Sequence, residues 1–258
     1  AVDEPPTSPS FRAERYLSRL PPELQRHLSQ WLALYHNSTD SGDTWEIQLW
    51  SGDHADAFVR ERYPEFAPLF FSFPRRVQRS DLLRWLLVHA FGGFYADLDC
   101  EPRAHLRGLL RKYSNASALV FHEAILDEAQ RWEAARTHTI RGGEPELAER
   151  IANYFFAATA RHRLVERVLR EIRARLERHP VIREDYDVLF TTGPDAVTHA
   201  VHTALNSSDS NGDDSVRDAD EASTLRRSVA VIRRFEDQTY FSHSTVGLWK
   251  QRGDAVTV

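Results

Sequence analysis

The chain has 258 residues and a formal charge of −5, enough to bury one sizeable core and too acidic for a general nucleic-acid binder. Cys100 is the only cysteine, which excludes an intrachain disulfide and any zinc cluster built on several cysteines. No apolar run approaches the roughly 20 residues that a membrane-spanning helix needs, so no anchor is expected within the chain and one upstream is left open. The chain has no methionine and begins at Ala1, which reads as a processed or trimmed piece. Sequons at Asn37, Asn115 and Asn206 are compatible with a secretory lumen.

Residues 1–20 read as a loose tail rich in Pro and Ser, and 21–258 as one domain. Leu24, Leu28, Leu32 and Tyr35 keep a helical period after Pro21-Pro22. Trp45 to Trp50 alternates apolar and polar, which predicts a strand, and Ser51 or Asp53 then caps a helix through Tyr63. The aromatic run Phe66 to Phe73 is expected to pack on the core. A helix opening at Ser80 or Asp81 carries Leu82, Leu83, Leu86, Leu87 and Ala90 on one face and stops at Gly92-Gly93. Phe94, Tyr95, Ala96 and Leu98 then form a short apolar strand edge containing Asp97 and followed by Asp99.

Further on, Ala118 to Phe121 predicts a strand leading to His122 and Glu123, with 124–146 a loop containing some helix. Arg163 to His179 is amphipathic, with Leu164, Val168, Ile172 and Leu176 in register. Val188 to Phe190 reads as a strand before the turn Thr191–Pro194, and Asp195 as the cap of a helix to Leu205. Residues 206–223 are rich in Ser, Asp and Asn and predict a mobile insertion, and Val229 to Ile232 is a last strand. The alternation of strands and helices predicts an α/β chain.

Asp-x-Asp occurs three times, at Asp97/Asp99, Asp185/Asp187 and Asp218/Asp220. Only the first follows a helix, a Gly-Gly stop and an apolar strand, and the C-terminal edge of such a strand is where open α/β sheets bind ligands. Residues i and i+2 converge on one ion only where the strand ends and the backbone turns. A hard cation such as Mn²⁺ or Mg²⁺ takes oxygen ligands and keeps substrate phosphates in its shell, so the pair suits a metal–diphosphate.

The run S-D-L-L-R-x-L-L-x-x-x-x-G-G-x-Y-x-D-L-D, Ser80 to Asp99, resembles the signature of the DXD-containing glycosyltransferase family 32. That family includes fungal α-mannosyltransferases, inositol-phosphoceramide mannosyltransferases and animal α-1,4-galactosyl- and N-acetylglucosaminyltransferases. The glucosylating domains of clostridial toxins carry a related pattern. The resemblance implies a GT-A type, Rossmann-like fold with a mixed central sheet flanked by helices. It implies Mn²⁺ or Mg²⁺ and a nucleotide-diphosphate sugar donor, GDP-mannose first and a UDP-hexose next. It also implies a glycan or glycolipid acceptor, retention of anomeric configuration by a front-face route, and a Golgi or secretory location, with the cytoplasm left open.

Carried over position by position, the resemblance gives Asp97, Asp99 and Arg84 catalytic roles, with Asp97, Asp99 and His243 as metal ligands. Asp81, Arg84, Tyr95, Asp97, Asn153 and Trp249 would hold the donor, His243 and Trp249 matching the family's H-x-x-x-x-x-W ending. From the residues alone, Asp81 and Arg84 also read as a helix-surface ion pair and Tyr95 as a core aromatic. The family's opening strand, I-P-K-x-I-H-Q-x-W, is not found before Trp45. Two other classes fit the same carboxylates: a catalytically degenerate sugar-nucleotide or carbohydrate-binding module, and a metal-dependent phosphohydrolase or nucleotidyltransferase.

Overall fold

A computed structural model of the chain describes residues 17, 20–36, 45–125, 149–206, 223–233, 236 and 238–243. Most of the expected tail (1–16), most of the expected loop (126–146), the bulk of the expected insertion (207–222) and Trp249 lie outside the described residues. Leu20, at the end of the expected tail, is buried with Leu24 and Leu28 in a small apolar cluster.

The architecture is a mixed α/β sheet flanked by helices. Helices α1 (Pro22–His36), α2 (Gly52–Arg62), α3 (Ala67–Ser72) and α4 (Arg76–Phe91) precede β1 (Gly93–Ala96) and β2 (Cys100–Pro102). Then follow α5 (Arg107–Lys112), β3 (Ala118–Ile125), β4 (Glu149–Ile151), β5 (Phe155–Ala158), α6 (Arg163–Arg178), α7 (Asp185–Thr191) and α8 (Pro194–Asn206). Strands β6 (Val229–Ile232) and β7 (Phe241–His243) end the described chain. The main sheet runs β1-β5-β3-β4 with antiparallel neighbours, and β6 joins β3 in parallel. A separate two-stranded ribbon pairs β2 with β7.

Period-two burial on the central strands divides the core into two layers. Phe156 and Ala158 of β5, with Ala118 and Val120 of β3, face the cluster built by α4, α6 and α8. Phe155 and Ala157, with Leu119 and Phe121, face the opposite cluster that holds Tyr35, Leu109 and Phe241. Trp85 of α4 lies flat on Phe156, with ring centroids 3.8 Å apart, and locks that helix over the strand next to β1.

Gly92 turns the chain from α4 into β1 at φ 71°, a conformation that favours glycine, and a Cβ there would lie 2.7 Å from the Ala160 nitrogen. The strand follows at once, so this glycine fixes where Asp97 emerges.

Four local expectations differ from the structure. Trp45 to Trp50 keeps its alternating burial but belongs to no strand and has no ladder partner among the described residues. Alternation reports two faces; a strand also needs a neighbour. Helix α4 opens at Arg76, a turn before Ser80, because Arg76 to Arg79 suit a helix without continuing the apolar period. Val188 to Phe190 is helical: Glu184 and Asp187 form a reciprocal capping box that commits this short apolar run to α7. Asp195 does not cap α8 from outside; it sits inside the first turn after Pro194, fully buried, with Arg150 at 2.7 Å.

Candidate active site

The site is assembled at the point where β1 ends. The Asp97 amide still bonds the Tyr154 carbonyl at 2.9 Å, and the Cys100 amide returns to the Asp97 carbonyl at 2.9 Å. Asp97 and Asp99 therefore straddle a turn, which frees them from the strict opposition of neighbouring strand positions. Both line one cleft together with Asp81, Arg84, Asn153 and His243.

The two carboxylates have different partners. Asp97 Oδ1 accepts from the Tyr95 hydroxyl at 2.7 Å and lies 3.5 Å from the Arg84 guanidinium, so both of these contacts use one oxygen. Asp99 Oδ2 lies 3.3 Å from His243 Nε2. The imidazole of His243 is stacked on Tyr154, with centroids 3.7 Å apart, which fixes its plane. Tyr154 was not singled out in the sequence; its only signal is its place beside Asn153.

Behind Asp97 lies a buried polar network. Asp81 Oδ1 accepts from Asn153 Nδ2 at 3.0 Å, and its Oδ2 accepts from the Thr192 hydroxyl at 2.9 Å. Arg84 lies 3.2 Å from Asp81 and donates to the Asn153 carbonyl at 2.8 Å. Its guanidinium also sits over the Tyr95 ring, 5.3 Å from the centroid. The exposed helix-surface reading of Asp81 and Arg84 is thus corrected, since both are buried. Thr192, read from the sequence as part of a structural turn, is a member of this network.

Charge in the network follows from burial. Burial pushes the Asp81 carboxyl up to about 6, against the pull of Arg84 and the hydrogen bonds from Thr192 and Asn153. Burial likewise raises Asp97, again opposed by Arg84, and the nearby Asp99 raises it further. For Arg84 burial works toward deprotonation, but Asp97, Tyr95 and Asp81 outweigh it and keep the guanidinium charged. The Tyr95 hydroxyl is raised well above its ordinary value by burial and by Asp97, so it remains a donor.

The donor set fits the hard cation that an Asp-x-Asp pair suggests. Asp99 supplies a carboxylate oxygen and His243 an imidazole nitrogen from the same wall of the cleft. Asp97 stands beside them but is already engaged by Arg84 and Tyr95.

Residues 22–117 match the family model described as "Glycosyltransferase sugar-binding region containing DXD motif". That stretch, which holds the Asp-x-Asp pair and Arg84, is similar to the sugar-binding region of DXD-containing glycosyltransferases. Among curated relatives it is similar to inositol phosphoceramide mannosyltransferase 2 of Schizosaccharomyces pombe, 34% identical over 80 residues, which is 31% of this chain and 23% of that protein. It is also similar to mannosyl phosphorylinositol ceramide synthase CSH1 of Saccharomyces cerevisiae, 32% identical over 76 residues, 29% of this chain and 20% of that protein. The similarity to mannosyl phosphorylinositol ceramide synthase SUR1 of the same yeast is 35% over 72 residues, 26% of this chain and 19% of that protein. The matched stretch therefore spans less than a quarter of the length of these relatives.

Proposed function

We propose that this chain is a metal-dependent, retaining glycosyltransferase. It moves a hexose, mannose first, from a nucleotide-diphosphate sugar to a glycan or glycolipid acceptor in the Golgi or secretory lumen. The observation that carries the reading is the split of the two aspartates: Asp99 is turned to His243 and Asp97 to Arg84, on one cleft at the end of β1. The names of the yeast relatives favour a mannosyl donor and an inositol phosphoceramide acceptor.

Asp99 and His243 would hold Mn²⁺ or Mg²⁺, with Asp97 completing the grip through the oxygen not engaged by Arg84 and Tyr95. The cation, when bound, supplies a Lewis acid for the negative charge of the leaving diphosphate. The chain's own residues do the rest. Arg84 contributes a fixed positive charge that needs no reorganisation, because Asp81 and the Asn153 carbonyl already hold it. Asn153 and Tyr95 keep Asp81 and Asp97 in place, and Asp97 can then orient donor hydroxyls.

The test is product analysis with GDP-mannose and UDP-hexoses plus Mn²⁺, offering an inositol-phospholipid acceptor. Formation of a mannosylated acceptor and an intact nucleoside diphosphate supports the reading. Donor binding with neither transfer nor hydrolysis would instead identify a binding module. Cleavage of the donor to a nucleoside monophosphate and a hexose 1-phosphate would identify a phosphohydrolase.

A further inference from the structure

We propose that Arg150 holds the phosphodiester of the sugar acceptor, so that the cleft selects acceptors with an anionic phosphate beside the accepting ring over neutral ones. The inference rests on the transferase reading above and adds to it a residue that sets acceptor specificity.

Strand β4 carries Arg150 to the wall of the cleft. The amide of Ile151 donates to the Thr198 hydroxyl at 2.8 Å, which pins the strand on α8. Across the ladder His122 faces Ile151 and Ala124 faces Arg150, so Glu123 is an extra residue. Bulges of this kind re-aim side chains beside functional sites. Arg150 and Glu123 both line the cleft that holds Asp97, Asp99 and His243. Three residues beyond Arg150, Asn153 enters the Asp81–Arg84 network, and Tyr154 stacks on His243. Three residues of extended chain span at most about 11 Å, so one substrate can touch both ends of this wall.

Four arginines line the cleft, and their donors are used differently. Arg84 spends all three nitrogens within the protein: Nε on the Ser80 carbonyl at 3.3 Å, Nη1 on the Asn153 carbonyl, and Nη2 on Asp81 and Asp97. Arg75 is held by Asp185 at 2.5 Å, and Arg76 is exposed at the start of α4. Arg150 combines a fixed position with open donors. Its Nη2 lies 2.7 Å from Asp195 Oδ1, a fully buried carboxylate in the first turn of α8. Its Nε is enclosed without a hydrogen-bond partner among the described residues, while 19% of the side chain stays open. A guanidinium has five N–H donors in a fixed fork, and one contact leaves several of them for an oxyanion.

A buried aspartate with an arginine partner is often only a structural ion pair. This arginine stands apart because it lies on the cleft and because a buried donor without an acceptor is rare. On the reading above, the donor's diphosphate is met by the cation at Asp99 and His243, so a second anion held at Arg150 belongs to the acceptor. The single charge of a phosphodiester, such as an inositol phosphoceramide carries, suits one guanidinium. Glu123 on the same wall can accept from hydroxyls of the bound ring.

The test compares two water-soluble acceptors, glycerophosphoinositol and free inositol, with the full chain, Mn²⁺ and GDP-mannose. The unaltered chain should show the lower KM for glycerophosphoinositol. Arg150→Gln should raise that KM by roughly tenfold to a hundredfold, the weight of a hydrogen bond to a charged group, and abolish the preference while the donor KM is kept. Arg150→Lys should restore part of it. Because Arg150→Gln leaves Asp195 buried and unpaired, the same change is also made with Asp195→Asn. Equal KM values for the two acceptors in the unaltered chain would overturn the proposal, and that comparison requires no variant to fold. A donor KM that rises as far as the acceptor KM would also overturn it. Calorimetry with glycerophosphoinositol separates this proposal from the reading beneath it. Binding that needs Arg150, with no transfer, would keep the phosphodiester site and remove the transferase. Transfer blind to the phosphate would keep the transferase and remove this site.

Discussion

Thr192 donates its hydroxyl to Asp81 at 2.9 Å, joining the C-terminal end of α7 to the middle of α4 across 111 residues of sequence. The bond gives one oxygen of a buried carboxylate its partner, while the other oxygen is held by Asn153 and Arg84. Asp81 in turn holds Arg84, and Arg84 reaches Asp97. The geometry of the cleft's charged wall is therefore set by residues from three separate parts of the chain.

Removing Asp81 leaves the Arg84 guanidinium buried, with the more distant Asp97 as its remaining ion-pair contact among the described residues and Asp99 farther off. Asp81→Ala is expected to lose about 3 kcal/mol, the low end of the range for breaking a buried pair, because Asp97 compensates in part. Thr192→Val removes one donor and should cost about 1–2 kcal/mol. Urea denaturation with an unchanged slope and a lower midpoint checks both, and equal stability of Asp81→Ala and the parent would refute the network.

Gly92→Ala adds a Cβ at a positive φ and within 2.7 Å of a backbone nitrogen. A backbone at φ 71° and ψ −166° is essentially open to glycine alone and strains alanine by about 1–3 kcal/mol, and the clash adds to it because backbone cannot move aside as a side chain can. Since Gly92 leads directly into β1, the substitution should weaken nucleotide binding as well as lower Tm. Thermal melts and nucleotide titration read the two effects separately. A variant with both values unchanged would contradict the role of this turn.

His162 gives a pH signature remote from the site. Its Nδ1 accepts the Leu164 amide at 3.1 Å as the N-cap of α6, and its Nε2 lies 2.9 Å from the Ser117 hydroxyl. The cap requires the neutral ring, and burial lowers the folded-state pKa below the ordinary 6.5, with Glu166 opposing. Below 6.5 the unfolded chain therefore binds a proton more readily than the folded one. The contribution of this group is complete above 6.5 and is lost as pH falls through the window down to the folded value. His162→Gln should flatten the fall in stability below pH 6.5, measured by denaturation at a series of pH values. An identical pH profile in the variant would show that His162 does not titrate on unfolding.

Much of this was legible in the sequence, for identifiable reasons. The spacing of Leu82, Leu86 and their neighbours and the glycine stop specify α4 and the start of β1, and the strand ends where Asp97 begins. The strong apolar periods of Leu24 to Tyr35 and Leu164 to Leu176 likewise became α1 and α6. What was hidden depends on contacts distant in sequence. The Asp81 bond to Thr192 and the pairing of Cys100 with His243 are set by how elements pack, and no local pattern encodes them. Val188 to Phe190 failed for another reason: three apolar residues suit helix or strand equally, and the capping box that decides between them lies at polar positions.

The most direct measurement is metal-dependent sugar transfer by Asp99→Asn beside the parent chain, with circular dichroism confirming the fold. The account predicts loss of Mn²⁺-dependent transfer by about a hundredfold or more, since a direct ligand carries at least what its supporting partners do, with stability nearly unchanged. Transfer at the parent rate with the same Mn²⁺ dependence would contradict it.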